Sequence, residues 1–214
     1  MKVVEIFNSI EGEGKRAGLP CTFIRLYGCN LSCSYCDSQY ACTEEGNSIV
    51  MSITEIMDNV KMLGCPNVTV TGGEPLIHPG IVTLLRELLH EGYWVNVETN
   101  GSCLLPIFHD NLFYTVDFKT NASGMSDKMK PATFYAMDEN DVVKFVVGSN
   151  DDLEQSLEFV EKHYLEKPQI YVSPVFGQIE ASEIVDFIKY HKLWNWKTQL
   201  QLHKYIFDPN ARGV

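Results

Sequence analysis

The sequence predicts an α/β fold, an incomplete, curved barrel of mostly parallel strands. Three observations carry this. Short β-branched and aromatic runs recur along the chain, segments of helical period separate most of them, and the runs end in polar or glycine-rich loops. Strand–helix alternation at this spacing implies parallel strands joined by right-handed crossovers. Six such strands point to an unclosed barrel over a flat doubly wound sheet, although periodicity by itself does not separate the two. The 214 residues contain no internal repeat, linker or low-complexity tract, so residues 1–214 read as one domain.

The elements follow in order. Residues 2–7 (KVVEIF) alternate as a short strand, and 8–20 (NSIEGEGKRAGLP) read as a glycine-rich loop. Residues 21–27 (CTFIRLY) form the next strand, with Phe23, Arg25 and Tyr27 on one face and Thr22, Ile24 and Leu26 on the other. Ser52 or Thr54 caps a helix to about residue 62, striped by Ile53, Ile56, Met57 and Val60. Strand 67–71 runs into GGEP. An amphipathic helix spans 79–90, with Pro79 in its first turn and Gly92 past its end. Strand 93–100, a loop-helix region to about 109, strand 112–119 and a weakly periodic polar stretch over 120–139 come next. Strand 142–147, helix 151–165, strand 169–175 and helix 181–194 lead to TQLQLHKYI, which closes the pattern.

A hydrophobic content of 45% and a charged content of 21% are those of a soluble globular protein. The net charge of −11 argues against a nucleic-acid partner, whose binding surfaces are basic. No signal peptide and no run of membrane-spanning length is evident. Seven cysteines without secretory features read as reduced thiols in a cytosol.

In a parallel α/β barrel, ligands gather at the carboxyl ends of the strands. The loops there are GCNLSCSYCDS, TGGEP, ETNG, DFKTN and SPVFG. The first holds Cys29, Cys33 and Cys36 in a C-x3-C-x2-C spacing, which lets three thiolates wrap one compact metal centre. A zinc site would want a fourth ligand at a second knuckle. The other cysteines, Cys21, Cys42, Cys65 and Cys103, stand singly and read as small hydrophobes or inert thiols. The favoured reading is a [4Fe–4S] cluster on three thiolates, its fourth iron open to a ligand. A non-enzymatic zinc- or cluster-binding module is the alternative.

C-x3-C-x2-C after one strand with GGEP after the next resembles the radical S-adenosyl-L-methionine (SAM) superfamily. The run SIEGEGKRAGLPCTFIRLYGCNLSCSYCDS (9–38), with TGGEP, VETNG, VDFK and QLHKYIF…RGV, resembles the 7-carboxy-7-deazaguanine synthase family over most of the chain. The resemblance implies a (β/α)6-type radical SAM barrel in a cytoplasmic lyase. That lyase would convert 6-carboxy-5,6,7,8-tetrahydropterin to 7-carboxy-7-deazaguanine with loss of ammonia, in queuosine and 7-deazapurine synthesis. It implies a [4Fe–4S] cluster, S-adenosyl-L-methionine and Mg²⁺ as cofactors. It also implies flavodoxin or ferredoxin as electron donor, a homodimer, and no nucleic-acid or membrane partner. A glycyl-radical or ribonucleotide reductase activating enzyme is the rival within the superfamily.

Residue by residue, Cys29, Cys33 and Cys36 match the cluster ligands. Tyr35, Cys36, Asp37, Gly73 and the segment Asp117, Phe118, Lys119 match positions that contact SAM. Ser38 stands where the family commonly has a Mg²⁺-ligating threonine. Ile10, Glu11 and Gly12 match the loop that reads the pterin, with Glu11 in place of the usual glutamine. Arg25 matches the grip on the substrate carboxylate, and Thr71 a substrate hydroxyl contact. Each has a plainer reading: loop packing for Tyr35, a tight turn for Gly73, a turn serine for Ser38, a salt bridge for Arg25 and β propensity for Thr71. Lys119 could pair with Asp117 or Glu98, and the role of His203 stays open.

Overall fold

Strand β1 (Lys2–Ile10) starts the chain, β2 (Pro20–Leu26) returns antiparallel to it, and the two-residue β3 (Ile49–Val50) pairs with the outer edge of β1. From β2 the sheet runs parallel through β4 (Asn67–Gly72), β5 (Trp94–Thr99), β6 (Leu112–Phe118), β7 (Val142–Val147), β8 (Gln169–Pro174) and β9 (Trp196–Thr198). The spatial order is β3-β1-β2-β4-β5-β6-β7-β8-β9, so β9 does not meet β1 and the sheet stays unclosed. This computed structural model describes residues 1–43, 48–208 and 211–213.

Helices α1 (Gln39–Thr43), α2 (Ile53–Leu63), α3 (Ile81–His90), α4 (Pro131–Tyr135), α5 (Asn150–Lys162), α6 (Ala181–Tyr190) and α7 (His203–Ile206) fill the connections. The local chemistry explains α2. Ser52 caps it in a reciprocal box with Glu55, and Gly64 ends it at φ 71°. Its buried stripe is Ile56, Met57 and Val60, with Ile53 of the expected stripe only half-buried. Helix α3 begins at Ile81 with Gly80 as its N-cap, so Pro79 lies just outside its first turn.

The structure departs from the sequence reading in several places. Strand β1 runs three residues further, because Asn8, Ser9 and Ile10 pair with Thr22, Cys21 and Pro20 of β2. The residues between Ile10 and Pro20 are too few for a parallel crossover, which takes a dozen or more, so this first pairing is antiparallel. Six full parallel strands are followed by a seventh of three residues. Residues 101–109 form no helix, whereas 120–139 contain α4 and two 3₁₀ turns, Asn121–Ser123 and Ser126–Lys128. The closing segment TQLQLHKYI divides between the end of β9 and the short helix α7, which begins at His203.

Ile24, Leu26, Val68, Val70, Leu84, Leu85 and Leu88 are fully buried between sheet and helices. Burying each stabilises the fold by about 1.5–3 kcal/mol before entropy is counted. Alternation sends the intervening side chains to the inner face of the barrel, so that face is polar: Arg25 on β2, Thr71 on β4, Glu98 on β5, Asp117 on β6 and Lys144 on β7. The segment after β9 then returns to the loop after β1. Leu202 donates its amide to the Gly12 carbonyl (3.1 Å), and the Gln199 side chain makes two bonds to the Gly14 backbone (2.7 and 2.9 Å). Among the described residues, no helix is long and apolar enough to cross a membrane.

Candidate active site

A cavity of about 480 Å³ lies over the carboxyl ends of the parallel strands. Every sequence-predicted site residue lines it except Phe118. Phe118 alternates to the opposite face of β6 and packs its ring among Phe134, Phe145 and Phe159, so only Asp117 and Lys119 of that segment present side chains here.

The cysteine loop is set by β2 and by the turn after β4. The amide of Glu74 donates to the Gly28 carbonyl (2.8 Å), and that of Gly73 to the Leu26 carbonyl (3.1 Å). A Cβ on Gly73 would stand 2.9 Å from the Cys29 Cβ and closer still to the Gly28 carbonyl. Only glycine fits there, and the tight-turn reading of Gly73 and its place in the cavity hold together.

Among the described residues, no three His, Cys, Asp or Glu side chains converge closely enough to hold one metal ion. A single zinc needs every sulfur about 2.3 Å from one point. A cluster does not, because each thiolate binds its own iron, and three thiols around one cavity fit that requirement. Cys29 is pulled down to about 6, first by a hydrogen bond from the Cys42 thiol and then by the Leu31 amide (3.4 Å) and the Asn100 side chain (3.6 Å), against the effect of burial. Cys36 is pulled down to about 7, again first by Cys42. Burial pushes Cys33 up. Cys42, on α1, lines the same cavity, and its thiol donates to the Ser38 carbonyl (3.6 Å).

The floor of the cavity is an ion network. Lys144 Nζ lies 3.1 Å from Glu13 and 3.4 Å from Asp117, and Lys119 Nζ lies 2.9 Å from Asp117. Burial works against the Lys144 cation, but Glu13 and Asp117 outweigh it and hold its pKa well above the ordinary value. Gln201 donates to Glu13 Oε2 (3.3 Å). The second oxygens of both acids, Glu13 Oε1 and Asp117 Oδ1, are buried without a partner among the described residues, which leaves acceptors for a ligand.

Arg25 is not left free. Its Nε donates to Glu5 Oε1 (2.7 Å), the same oxygen that accepts from Tyr40 (2.8 Å), so the salt-bridge reading is realised on the cavity wall. Tyr40 also stacks beneath Arg212, whose guanidinium is 4.2 Å from the ring centroid. Thr71 donates to Glu98 (2.8 Å). Ser38 donates to Asp37 (3.1 Å); despite burial, Lys204 and Lys144 hold Asp37 below the usual carboxylate range.

Glu11 turns its carboxylate away from the cavity, toward Arg16 (3.0 Å) and Thr69 (2.6 Å). Burial raises its pKa to about 7, with Glu98 adding to the effect and Arg16 opposing it. Its amide and carbonyl are bonded to Leu19 and Gly18. A Cβ on Gly12 would strike the His203 ring, which places His203 against the 10–12 loop. Tyr35 reaches the Val146 carbonyl at 3.4 Å, and burial raises its pKa to about 12.

Sequence reasoning missed Cys42, Lys144, Tyr40, Gln201 and Arg212. One signal was available: a lysine inside the apolar run VVKFVV must be paired if it is buried, and this one is.

The family model of the radical SAM superfamily matches residues 23–163. A 7-carboxy-7-deazaguanine synthase of Clostridium acetobutylicum is 44% identical over all of this chain and 99% of its own length. Another, of Chlorobaculum tepidum, is 38% identical over all of this chain and 97% of its own. The crystal structure of QueE from Escherichia coli shares the fold, with a TM-score of 0.76 over 94% of each chain at 24% identity. The chain belongs to the radical SAM superfamily and, within it, to the 7-carboxy-7-deazaguanine synthase family.

Proposed function

We propose that this chain is a radical SAM lyase that converts 6-carboxy-5,6,7,8-tetrahydropterin to 7-carboxy-7-deazaguanine with loss of ammonia, a step of queuosine and 7-deazapurine synthesis. The supporting observation is that the three-cysteine loop and the set Arg25, Thr71 and Glu98 open into one cavity. Its volume of about 480 Å³ lies within the range of roughly 300–1,000 Å³ that small ligands occupy.

Cys29, Cys33 and Cys36 would hold a [4Fe–4S] cluster. When bound, the cluster together with SAM supplies one-electron chemistry that removes a hydrogen atom from the substrate. The protein's own part is binding and orientation. The Gly72–Gly73 turn lets backbone approach a ligand closely, while Tyr35, Asp37, Asp117 and Lys119 offer an aromatic face and polar groups around it. Arg25, fixed by Glu5 and Tyr40, offers the rest of its guanidinium fork to the substrate carboxylate. Thr71 and Glu98 form a hydroxyl–carboxylate pair beside it, and Ile10 and Gly12 bound the pterin edge. Ser38 Oγ, next to Asp37, offers an oxygen to Mg²⁺, a hard cation that accepts hydroxyl and carboxylate ligands. Residues 1–214 would act as one domain in a cytoplasmic homodimer reduced by a flavodoxin or ferredoxin.

The test is anaerobic reconstitution followed by turnover of the carboxylated pterin with SAM, Mg²⁺ and a reductant. Formation of 7-carboxy-7-deazaguanine and ammonia is expected. A fully loaded cluster that gives no product removes the substrate assignment.

A further inference from the structure

Asn100 follows β5 directly and lines the cavity beside the cysteine loop. Its backbone is anchored by a buried carboxyl. The Asn100 amide donates to Glu74 Oε2 (2.7 Å), and the Thr99 hydroxyl donates to Glu74 Oε1 (2.7 Å). Its side chain is oriented by Ser102. The Ser102 amide can only donate, so the atom it meets at 3.0 Å is Asn100 Oδ1, which also accepts from the Ser102 hydroxyl (2.6 Å). The two N–H groups on Nδ2 then divide between Asn30 Oδ1 (3.2 Å) and Cys29 Sγ (3.6 Å). Asn30 closes the ring by donating to Ser102 Oγ (2.8 Å). Asn100 is buried, so turning its amide over would face donors with donors where water cannot compensate.

We infer that Asn100 raises the reduction potential of the cluster by directing one side-chain N–H at the Cys29 sulfur. The inference rests on the cluster assignment proposed above. The redox step is the uptake of one electron from an external one-electron donor. No bond to Cys29 breaks, and the amide protons stay on Nδ2. The added negative charge is shared by the ligand sulfurs, so a donor aimed at one of them stabilises the reduced state more than the oxidised one. The Leu31 amide also donates to Cys29 Sγ (3.4 Å), but it belongs to the cysteine loop and moves with it. Asn100 comes from a different strand end, 71 residues along the chain, and Ser102 and Glu74 set its aim. Asn100 acts through Cys29 and is a positioning residue in this role.

The experiment is a redox titration, monitored by EPR, of the full-length reconstituted protein and its Asn100→Leu, Asn100→Ala and Asn100→Asp variants, each with iron and sulfide content measured. Asn100→Leu and Asn100→Ala remove the donor without adding charge. In either one, fully loaded, the reduced-to-oxidised ratio at a fixed potential should fall by about tenfold, equivalent to 59 mV for one electron. Asn100→Asp keeps an oxygen for Ser102 but replaces the N–H groups with a second oxygen, and its ratio should fall at least as far. Equal potentials in loaded wild type and the neutral variants overturn the inference while sparing the cluster assignment. A fall in Asn100→Asp alone is an effect of charge and overturns it as well. If neither neutral variant takes up iron, Asn100 is a scaffold of the cysteine loop and the tuning role falls. A wild-type chain that takes up no cluster overturns both the inference and the assignment beneath it.

Discussion

Gly73→Ala tests how the cysteine loop is held. The new methyl group would stand 2.9 Å from the Cys29 Cβ and closer to the Gly28 carbonyl. These are backbone and near-backbone atoms that no rotamer change can move. Overpacking of this kind costs about 1–3 kcal/mol. Relief requires the loop to lift off the turn, which loses the Glu74–Gly28 and Gly73–Leu26 backbone bonds at about 1 kcal/mol each. The two lost bonds are the cost of relieving the clash, so the expected loss is about 2–3 kcal/mol. It would be read as a lowered urea midpoint at constant slope in the cluster-free protein, with reduced iron uptake on reconstitution. Gly124→Ala is the control. Gly124 has φ 74° and open space around its Cβ position, so it should lose only about 1–2 kcal/mol and keep its iron. A Gly73→Ala protein that loses under about 1 kcal/mol and loads normally would refute the packing argument.

Lys144→Met should destabilise the protein by about 3–5 kcal/mol in urea unfolding, because Glu13 and Asp117 stay buried with their shared cation gone. Arg25→Ala should raise KM for the carboxylated pterin by about 10- to 100-fold, the loss of one charge-assisted contact worth about 1.5–3 kcal/mol. An unchanged KM would make Arg25 a partner of Glu5 alone. Glu74 is buried, and burial raises its pKa from 4.5 to about 7 against the Asn100 and Leu76 amides and Thr99. A carboxyl with a raised folded-state pKa stabilises fully below its unfolded value and loses that contribution as pH climbs through the folded one. The stability advantage of wild type over Glu74→Gln should therefore shrink by about 3 kcal/mol between pH 4.5 and 8, as read from paired urea melts.

Much of the site was legible before the fold was known, because its residues occupy strand ends where alternation fixes direction. Arg25 and Phe23 face the cavity and Ile24 and Leu26 the core, as period-two reading requires. The same rule turns Phe118 away from the cavity and into the packing against the helices, but a segment-level resemblance places it in the site with its neighbours. What stayed hidden depends on contacts between distant positions. Lys144 and Glu13 are 131 residues apart, and nothing local to VVKFVV says which anion it meets. Cys42 looked solitary because its separation from Cys36 matches no ligand spacing, whereas the bond from the Gly28 amide to the Ala41 carbonyl holds α1 against the loop, and both cysteines line the cavity. Nothing local to the 10–12 loop shows that the Glu11 carboxylate meets the buried Arg16.

The stitching of residues 199–203 onto the loop after β1 gives the cavity a birth order. A nascent chain that has emerged through residue 190 already carries Cys29, Cys33, Cys36 and α1, yet the carbonyls of Gly12 and Gly14 still await Leu202 and Gln199. Contacts spanning nearly the whole sequence form late, since loop closure must be met before they give any return. Until those bonds form, the cysteines face a cavity without the wall that Gln201, His203 and Lys204 supply. Residues 199–204 complete that wall, so the order in which these contacts form is the order in which the cavity is enclosed.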